Sequence, residues 1–188
     1  MNRNSTVLLR FVGVALCFGL LFTGSSNSVA EDEGQAVKYQ RIGLQEFKNF
    51  LVGWDESSQP QRFALIRSAS EYDQLFQPAA VNGSRGPFAP PPKSYEKEQI
   101  LLVGREMPAP TNMEAVFEIE SLQEKGTMLL LKYRYKAPKP ASYNVRNYVA
   151  IRLPAKAYER VIFVENGKEV GELQVGKGQW VKPEPKKE

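Results

Sequence analysis

The sequence predicts an α+β, strand-dominated domain, built as an antiparallel sheet or a sandwich-like arrangement with one short helix. Apolar and polar residues alternate in short runs through the second half of the chain, which is the period of a half-buried strand. Asn166-Gly167 lies between two apolar runs and is a strong hairpin signal. One segment that begins at Ser68 combines a capping sequence with helical apolar spacing.

Residues 1–30 have the composition of a cleaved secretion signal. Arg3 and Arg10 form a basic start, an apolar core follows over residues 11–22, and small residues end the segment at Ser28-Val29-Ala30. The alternative is a retained membrane anchor, but the apolar core is shorter than the ~20 residues that span a bilayer. We therefore expect a secreted or periplasmic protein with no membrane span after cleavage.

The composition excludes several kinds of catalysis. The 188 residues include no histidine and one cysteine, Cys17, which lies inside the predicted signal. The mature chain thus lacks an imidazole base, a disulfide, a cysteine nucleophile and any His or Cys metal ligand. We expect no cofactor and no metal. Loss of Arg3 and Arg10 halves the formal net charge of +4, so charge does not indicate a nucleic-acid partner.

The mature chain fits a single domain. We expect a signal peptide at residues 1–30, a flexible tether at 31–36, one β-rich domain at 37–175 and a disordered basic and Pro-rich tail at 176–188. Apolar residues between positions 37 and 54 recur with helical spacing, but two stretches there resemble half-buried strands. We expect two short strands, at residues 37–39 and 50–52.

A strand followed by a helix comes next. Residues 63–66 form a short apolar run. Ser68 and Glu71 have the spacing of a capping box, in which the hydroxyl accepts a hydrogen bond from the Glu71 amide and the carboxylate reaches back. The apolar positions that follow, up to Phe76, share one helical face, and Pro78 ends the helix.

Residues 79–97 are so rich in glycine and proline that they predict a long loop. A loop of this length is more often functional or disordered than merely connective, so Arg85, Phe88 and Tyr95 are candidate binding residues. Ser94 and Lys97 have the Ser-x-x-Lys spacing of penicillin-binding enzymes, but the companion motifs of those enzymes do not follow.

Strand signals continue to residue 170. Residues 100–103 are continuously apolar, as in a strand covered on both faces. Residues 115–122 and 128–136 predict a hairpin in which a five-residue loop sets Ile119 opposite Leu131. Further strands are predicted at residues 145–153, 161–164 and 168–170.

Basic side chains cluster on the predicted outer faces of two of these strands. If the two strands pair, the residues form a basic patch with an aromatic ring, suited to carboxylates or phosphates. The alternative is a solvated face balanced by Glu118 and Glu120. The candidate binding residues are Lys132, Arg134 and Lys136 on one strand and Arg146, Tyr148 and Arg152 on the next.

The order of the elements permits a comparison with a known family. An apolar strand leads into the strand-to-helix segment 67–76, a loop, the strand at 99–105 and a series of strands over 115–153 that ends at Leu153-Pro154. This order resembles the PrcB-like family over about residues 65–164. The family consists of secreted bacterial domains named after a non-catalytic subunit that stabilises a surface protease complex. Members usually have a Gly-Gly-Tyr-like turn where this chain has Pro110-Thr111-Asn112-Met113.

Three functions remain, in order of preference. The first, which the resemblance also implies, is a non-catalytic binding or assembly module for a partner protein such as a protease. The second is binding of an anionic cell-envelope polymer through the basic face. The third is a carboxylate-dependent hydrolase, which needs two carboxylates converging in a cleft; Glu118 and Glu120 are the candidate pair. The sequence leaves the partner and the oligomeric state open.

Overall fold

The computed structural model describes residues 34–43, 49–52, 54–55, 57, 59–78, 89–177 and 179–181. These residues belong to one compact unit, Glu33–Glu188. The predicted signal peptide lies outside the described residues. The described helices are α1, Ala69–Leu75, and a 3₁₀ helix, Pro92–Glu96. The described strands are β1 Gln35–Ala36, β2 Gln40–Ile42, β3 Asn49–Leu51, β4 Gln61–Ile66, β5 Phe76–Pro78, β6 Glu98–Pro108, β7 Phe117–Lys125, β8 Met128–Tyr135, β9 Asn144–Pro154, β10 Arg160–Glu165, β11 Lys168–Gln174 and β12 Gln179–Val181.

Two sheets enclose a common hydrophobic core, which confirms the predicted strand-dominated α+β fold. The wide sheet has six strands in the order β1-β7-β8-β10-β11-β12, and the narrow sheet has four in the order β2-β9-β6-β4. Inward-facing residues of both sheets form the core, among them Phe63 and Val149 of the narrow sheet and Leu131 and Phe163 of the wide sheet. The rings of Phe63 and Phe163 stack with their centroids 4.2 Å apart. Burying one such side chain contributes about 1.5–3 kcal/mol.

The narrow sheet is covered on its second face as well. Ile66 of β4 and Leu102 of β6 share a second buried cluster with Tyr72 of α1 and Leu51 of β3. β3 pairs with β5 in a small separate sheet. The continuous apolar run at residues 100–103 therefore has the predicted cause, because both faces of β6 are buried.

Helix α1 begins at the predicted cap. Ser68 is the N-cap, and its Oγ accepts a hydrogen bond from the Glu71 amide at 3.1 Å. The Glu71 carboxylate accepts a hydrogen bond from the backbone N–H of Arg67 and lies 2.9 Å from its guanidinium. Phe76, which the apolar spacing placed on the helix, instead begins β5, because its backbone pairs with β3 at Leu51.

Two segments predicted to be flexible contain strands. β1 lies in the predicted tether at 31–36 and pairs with β7, and β12 lies in the predicted tail at 176–188 and pairs with β11. The prediction was wrong at these strands because pairing with a sheet edge satisfies backbone groups whatever the local composition. Of the two short strands expected between residues 37 and 54, the second is present as β3, but residues 37–39 are not in a strand, and β2 follows them at Gln40–Ile42.

In the β7–β8 hairpin the predicted residues face the core, but the register of the two strands differs from the prediction. The turn has two residues, since Lys125 pairs directly with Met128. A bulge between Ile119 and Ser121 then restores the apolar alternation. Ile119 therefore lies opposite Tyr133 and not opposite Leu131, its predicted partner. The extra residue of a bulge is not visible in the alternation of the sequence.

The β10–β11 hairpin turns at Asn166-Gly167, as predicted. These residues have φ angles of 51° and 77°, as a type I′ turn requires. The Asn166 side chain exchanges hydrogen bonds with the backbone of Tyr135 at 3.1 and 3.2 Å, which attaches the turn to β8. β10 pairs with β8 in parallel, and β9, in the opposite sheet, forms part of the crossover that a parallel pair needs.

Candidate functional site

The predicted basic patch is divided between the two sheets. β8 pairs with β7 and β10, whereas β9 pairs with β6 and β2. The assumption that β8 and β9 are neighbours was wrong, because β9 crosses to the narrow sheet and β10 takes the place beside β8. Lys132, Arg134 and Lys136 lie along or just after β8, and Arg146, Tyr148 and Arg152 lie on β9. These residues therefore do not form one patch.

The basic residues near β8 face solvent and are paired with acids. Arg134 lies 2.7 Å from Glu120 and 3.5 Å from Glu118, and Lys136 lies 2.9 Å from Glu118. The hydrogen bond from Lys136 is the largest cause that lowers the pKa of Glu118. Lys132 is exposed on the same strand. The expected balance by Glu118 and Glu120 is confirmed, and both carboxylates lie on an exposed sheet face and not in a cleft.

The three candidates on β9 make structural contacts. Arg146 donates a hydrogen bond to a backbone carbonyl of β3 at 3.2 Å. Tyr148 is buried and meets the ring of Phe76 edge-on, with centroids 5.3 Å apart. Arg152 pairs with Glu98 of β6 at 3.3 Å. These contacts attach β9 to the elements around it.

The burial of the Tyr148 hydroxyl predicts that the stability of the folded chain changes at alkaline pH. Burial raises its pKa from the usual 10.0 to about 12. Between these values the unfolded chain releases the phenolic proton and the folded chain retains it, so stability falls as pH rises. We expect Tyr148→Phe to reduce this slope by up to about 1.4 kcal/mol per pH unit in urea unfolding measured across the interval. Tyr143→Phe, at an exposed tyrosine, is the control, and equal slopes for Tyr148→Phe and the parent would contradict the expectation.

Of the three candidate loop residues, Arg85 and Phe88 lie outside the described residues. Tyr95 lies in the 3₁₀ helix and packs against the second buried cluster. Its hydroxyl is buried without a hydrogen-bond partner in the described part of the chain, and burial raises its pKa to about 12. The Ser94 hydroxyl donates to the carbonyl of Pro91 at 2.7 Å, so it serves the turn of this helix.

A polar cluster that the sequence did not predict joins the two sheets. One oxygen of Glu165 lies 2.9 Å from the guanidinium of Arg105, and the other accepts hydrogen bonds from the Tyr133 hydroxyl at 2.9 Å and the Gln61 amide at 3.0 Å. Burial, followed by the charge of Glu165, raises the pKa of Tyr133. The side chain of Arg105 also covers the Tyr135 ring at 4.0 Å. Since these groups satisfy one another, the cluster is a structural connection.

A groove lies along β4, the last strand of the narrow sheet. It has a volume of about 510 Å³ and is bounded by β4, by α1 and by the end of β11 with the turn that follows. Leu65 and Leu173 belong to the core between the sheets and also line the groove. Leu75 of α1, which belongs to the second buried cluster, lines the groove as well. The volume falls in the range of about 300–1,000 Å³ that is typical of ligand sites.

Among the described residues that line it, the groove has more basic than acidic side chains. Its lining includes three basic residues, Arg62, Arg67 and Lys177, and one acidic residue, Glu71, which pairs with Arg67. The buried Nε of Arg62 has no hydrogen-bond partner within the described ranges, and burial lowers its pKa. The sequence predicted β4 as a strand but contained no signal for its position at the edge, which depends on the order of distant strands.

The described residues show neither a metal site nor a membrane span. No group of three or more metal-ligating side chains lies together among them. No helix within these ranges has the length and apolar character needed to cross a bilayer.

Comparison with known proteins adds no relative to this description. No family model matches the chain, and no curated protein or solved structure is significantly similar to it. The resemblance to the PrcB-like family stays a prediction from the order of the elements.

Proposed function

We propose that the mature chain is a non-catalytic, secreted or periplasmic module that binds an extended segment of a partner protein along β4. The observation that carries this proposal is the position of β4, which among the described strands pairs only with β6 and ends the narrow sheet beside the groove. An edge strand presents N–H and C=O groups that a further strand satisfies, a mode of peptide recognition in which backbone hydrogen bonds supply affinity.

The edges of the described sheets differ in length. β1, β2 and β12, at the other edges of the two large sheets, have two or three residues, whereas β4 has six. Short edge strands are one way in which proteins prevent unwanted pairing. β4 also contains no proline or glycine and pairs with β6 without a bulge. Its outer edge is therefore regular and suited to the addition of another strand.

The groove beside β4 offers a place for the side chains of such a segment. Alternate residues of an added strand point to opposite faces, as they do in β4 itself. One face of the groove has Leu65 and Leu173, and the other has Arg62 and Gln74 of α1. Apolar pockets that flank a paired backbone provide specificity in complexes of this kind.

The alternative of an anionic envelope polymer bound by the outer face of β8 has less support. Arg134 and Lys136 are already paired with Glu118 and Glu120 on that face. The resemblance to a non-catalytic protease-complex subunit and the composition of residues 1–30 favour a secreted protein-binding module.

A bulky substitution in the groove tests the proposal. Gln74 is exposed on α1 and lines the groove, so Gln74→Trp should fill it without disturbing either core. Asp73→Trp places the same side chain at the adjacent exposed position, which does not line the groove. In affinity capture from the native envelope, we expect the parent and Asp73→Trp to retain the same partner, and Gln74→Trp to retain it at least about tenfold less. Equal retention by all three proteins would contradict binding at the groove.

A further inference from the structure

We propose that the segment bound at β4 alternates apolar and acidic residues, with its carboxylates on the α1 side of the narrow sheet beside Arg62. This proposal rests on the function proposed above and specifies the chemistry of the ligand. It follows from the two faces of β4 and from the charge that one of them has.

The two faces of β4 have different chemistry. Phe63 and Leu65 point into the core between the sheets, and Ala64 and Ile66 point to the α1 side. In an added strand, the side chains on the first face meet Leu65 and Leu173 at the mouth of the core, where apolar residues fit. Those on the second face lie on the side of Arg62.

Arg62 lies on the α1 side of β4. A Cβ built on Gly104, its neighbour in β6, would lie 3.5 Å from the Cβ of Arg62 and 3.6 Å from the Trp54 ring, which belongs to the second buried cluster. The Arg62 side chain is partly buried, and its buried Nε has no acceptor within the described part of the chain. A buried charged donor without an acceptor is unfavourable. A ligand carboxylate beside the partly exposed Arg62 side chain would pair with its charge and offset this cost.

Other partly buried arginines of the chain have carboxylate partners. Arg105 lies 2.9 Å from Glu165, and Arg152 lies 3.3 Å from Glu98. Glu71, the one acidic residue among the described residues that line the groove, pairs with Arg67. Lys177 adds a further positive charge to the groove. The charge of the groove thus complements an acidic segment, and Arg62 is the position at which we expect a carboxylate.

Two synthetic peptides and two variants test the proposal. One peptide of about eight residues alternates valine and glutamate, a length typical of a strand, and the other has glutamine in place of every glutamate. Each is titrated as a monomer into the mature parent protein, into Arg62→Gln and into Arg134→Gln. The last variant removes an exposed arginine on the opposite face of the molecule and is the matched control.

We expect the glutamate peptide to bind the parent at least about tenfold more tightly than the glutamine peptide, a difference of about 1.4 kcal/mol. Arg62→Gln should reduce this preference to within about twofold, and Arg134→Gln should retain it. Because the buried Nε of Arg62 has no acceptor among the described residues, Arg62→Gln should unfold at a urea concentration no lower than that of the parent.

The other outcomes overturn one or both proposals. If the two peptides bind equally and both slow hydrogen exchange in β4, the acidic preference is wrong and the function proposed for the groove stands. If the preference depends on Arg134 and not on Arg62, the ligand lies on the wide sheet and both proposals are wrong. If neither peptide binds, both fail.

Discussion

Replacement of Glu165 by alanine should lower the free energy of unfolding by about 2–4 kcal/mol, somewhat less than the loss that follows when one partner of a fully buried ion pair is removed. The carboxylate accepts from Arg105, Tyr133 and Gln61, which belong to both sheets. The side chain of Arg105 is only 20% exposed, so without Glu165 its charge has little contact with water and no ion-pair partner in this cluster. Urea denaturation of the chain without the predicted signal peptide measures the effect.

Two further variants identify the cause of this loss. Glu165→Gln retains an acceptor oxygen but not the charge, and we expect a smaller loss than in Glu165→Ala. Glu172→Ala removes a carboxylate whose nearest guanidinium nitrogen, on Arg160, is 3.9 Å away, and should change stability by no more than about 0.5 kcal/mol. A loss below about 1 kcal/mol in Glu165→Ala would show that the cluster does not hold the two sheets together.

Phe163→Ala should cost about 3–5 kcal/mol, because it leaves a cavity at the centre of the core between the sheets. Phe163 has no exposed surface and stacks on Phe63 of the opposite sheet. Domains of this size are stable by about 5–15 kcal/mol, so the variant should unfold at a much lower urea concentration and at a lower temperature than the parent.

The adjacent residue in β10 provides the comparison. Ile162 points to the outer face of the wide sheet and is only partly buried. Ile162→Ala should therefore cost about 1 kcal/mol or less. Similar losses at positions 162 and 163 would contradict the arrangement in which β10 presents one face to the core and the other to solvent.

The fold could be predicted from local patterns where short-range physics determines it. The cap at Ser68 and the turn at Asn166-Gly167 were predicted because neighbouring residues make their hydrogen bonds. The double burial of residues 100–103 was predicted because a strand without alternation needs cover on both faces.

The candidate site could not be predicted in the same way. The hypothesis of one basic patch required β8 and β9 to be neighbours, and no local pattern reveals that β10 lies beside β8 instead. The position of β4 as the last strand of the narrow sheet likewise follows from the order of the strands. Arg62 is one of many arginines in the sequence. The burial of its Nε without an acceptor among the described residues depends on Trp54 and on the β6 backbone at Gly104, which the sequence does not show to be its neighbours.

Hydrogen exchange of the chain without the predicted signal peptide, measured with and without the peptide of alternating valine and glutamate, tests the central claim most directly. An added strand forms hydrogen bonds with every second residue of β4, so we predict slower exchange within Gln61–Ile66 when the peptide is bound, and no change in the β7–β8 hairpin. Unchanged exchange in β4 together with slower exchange in β7 and β8 would contradict the claim and place the binding surface on the outer face of the wide sheet.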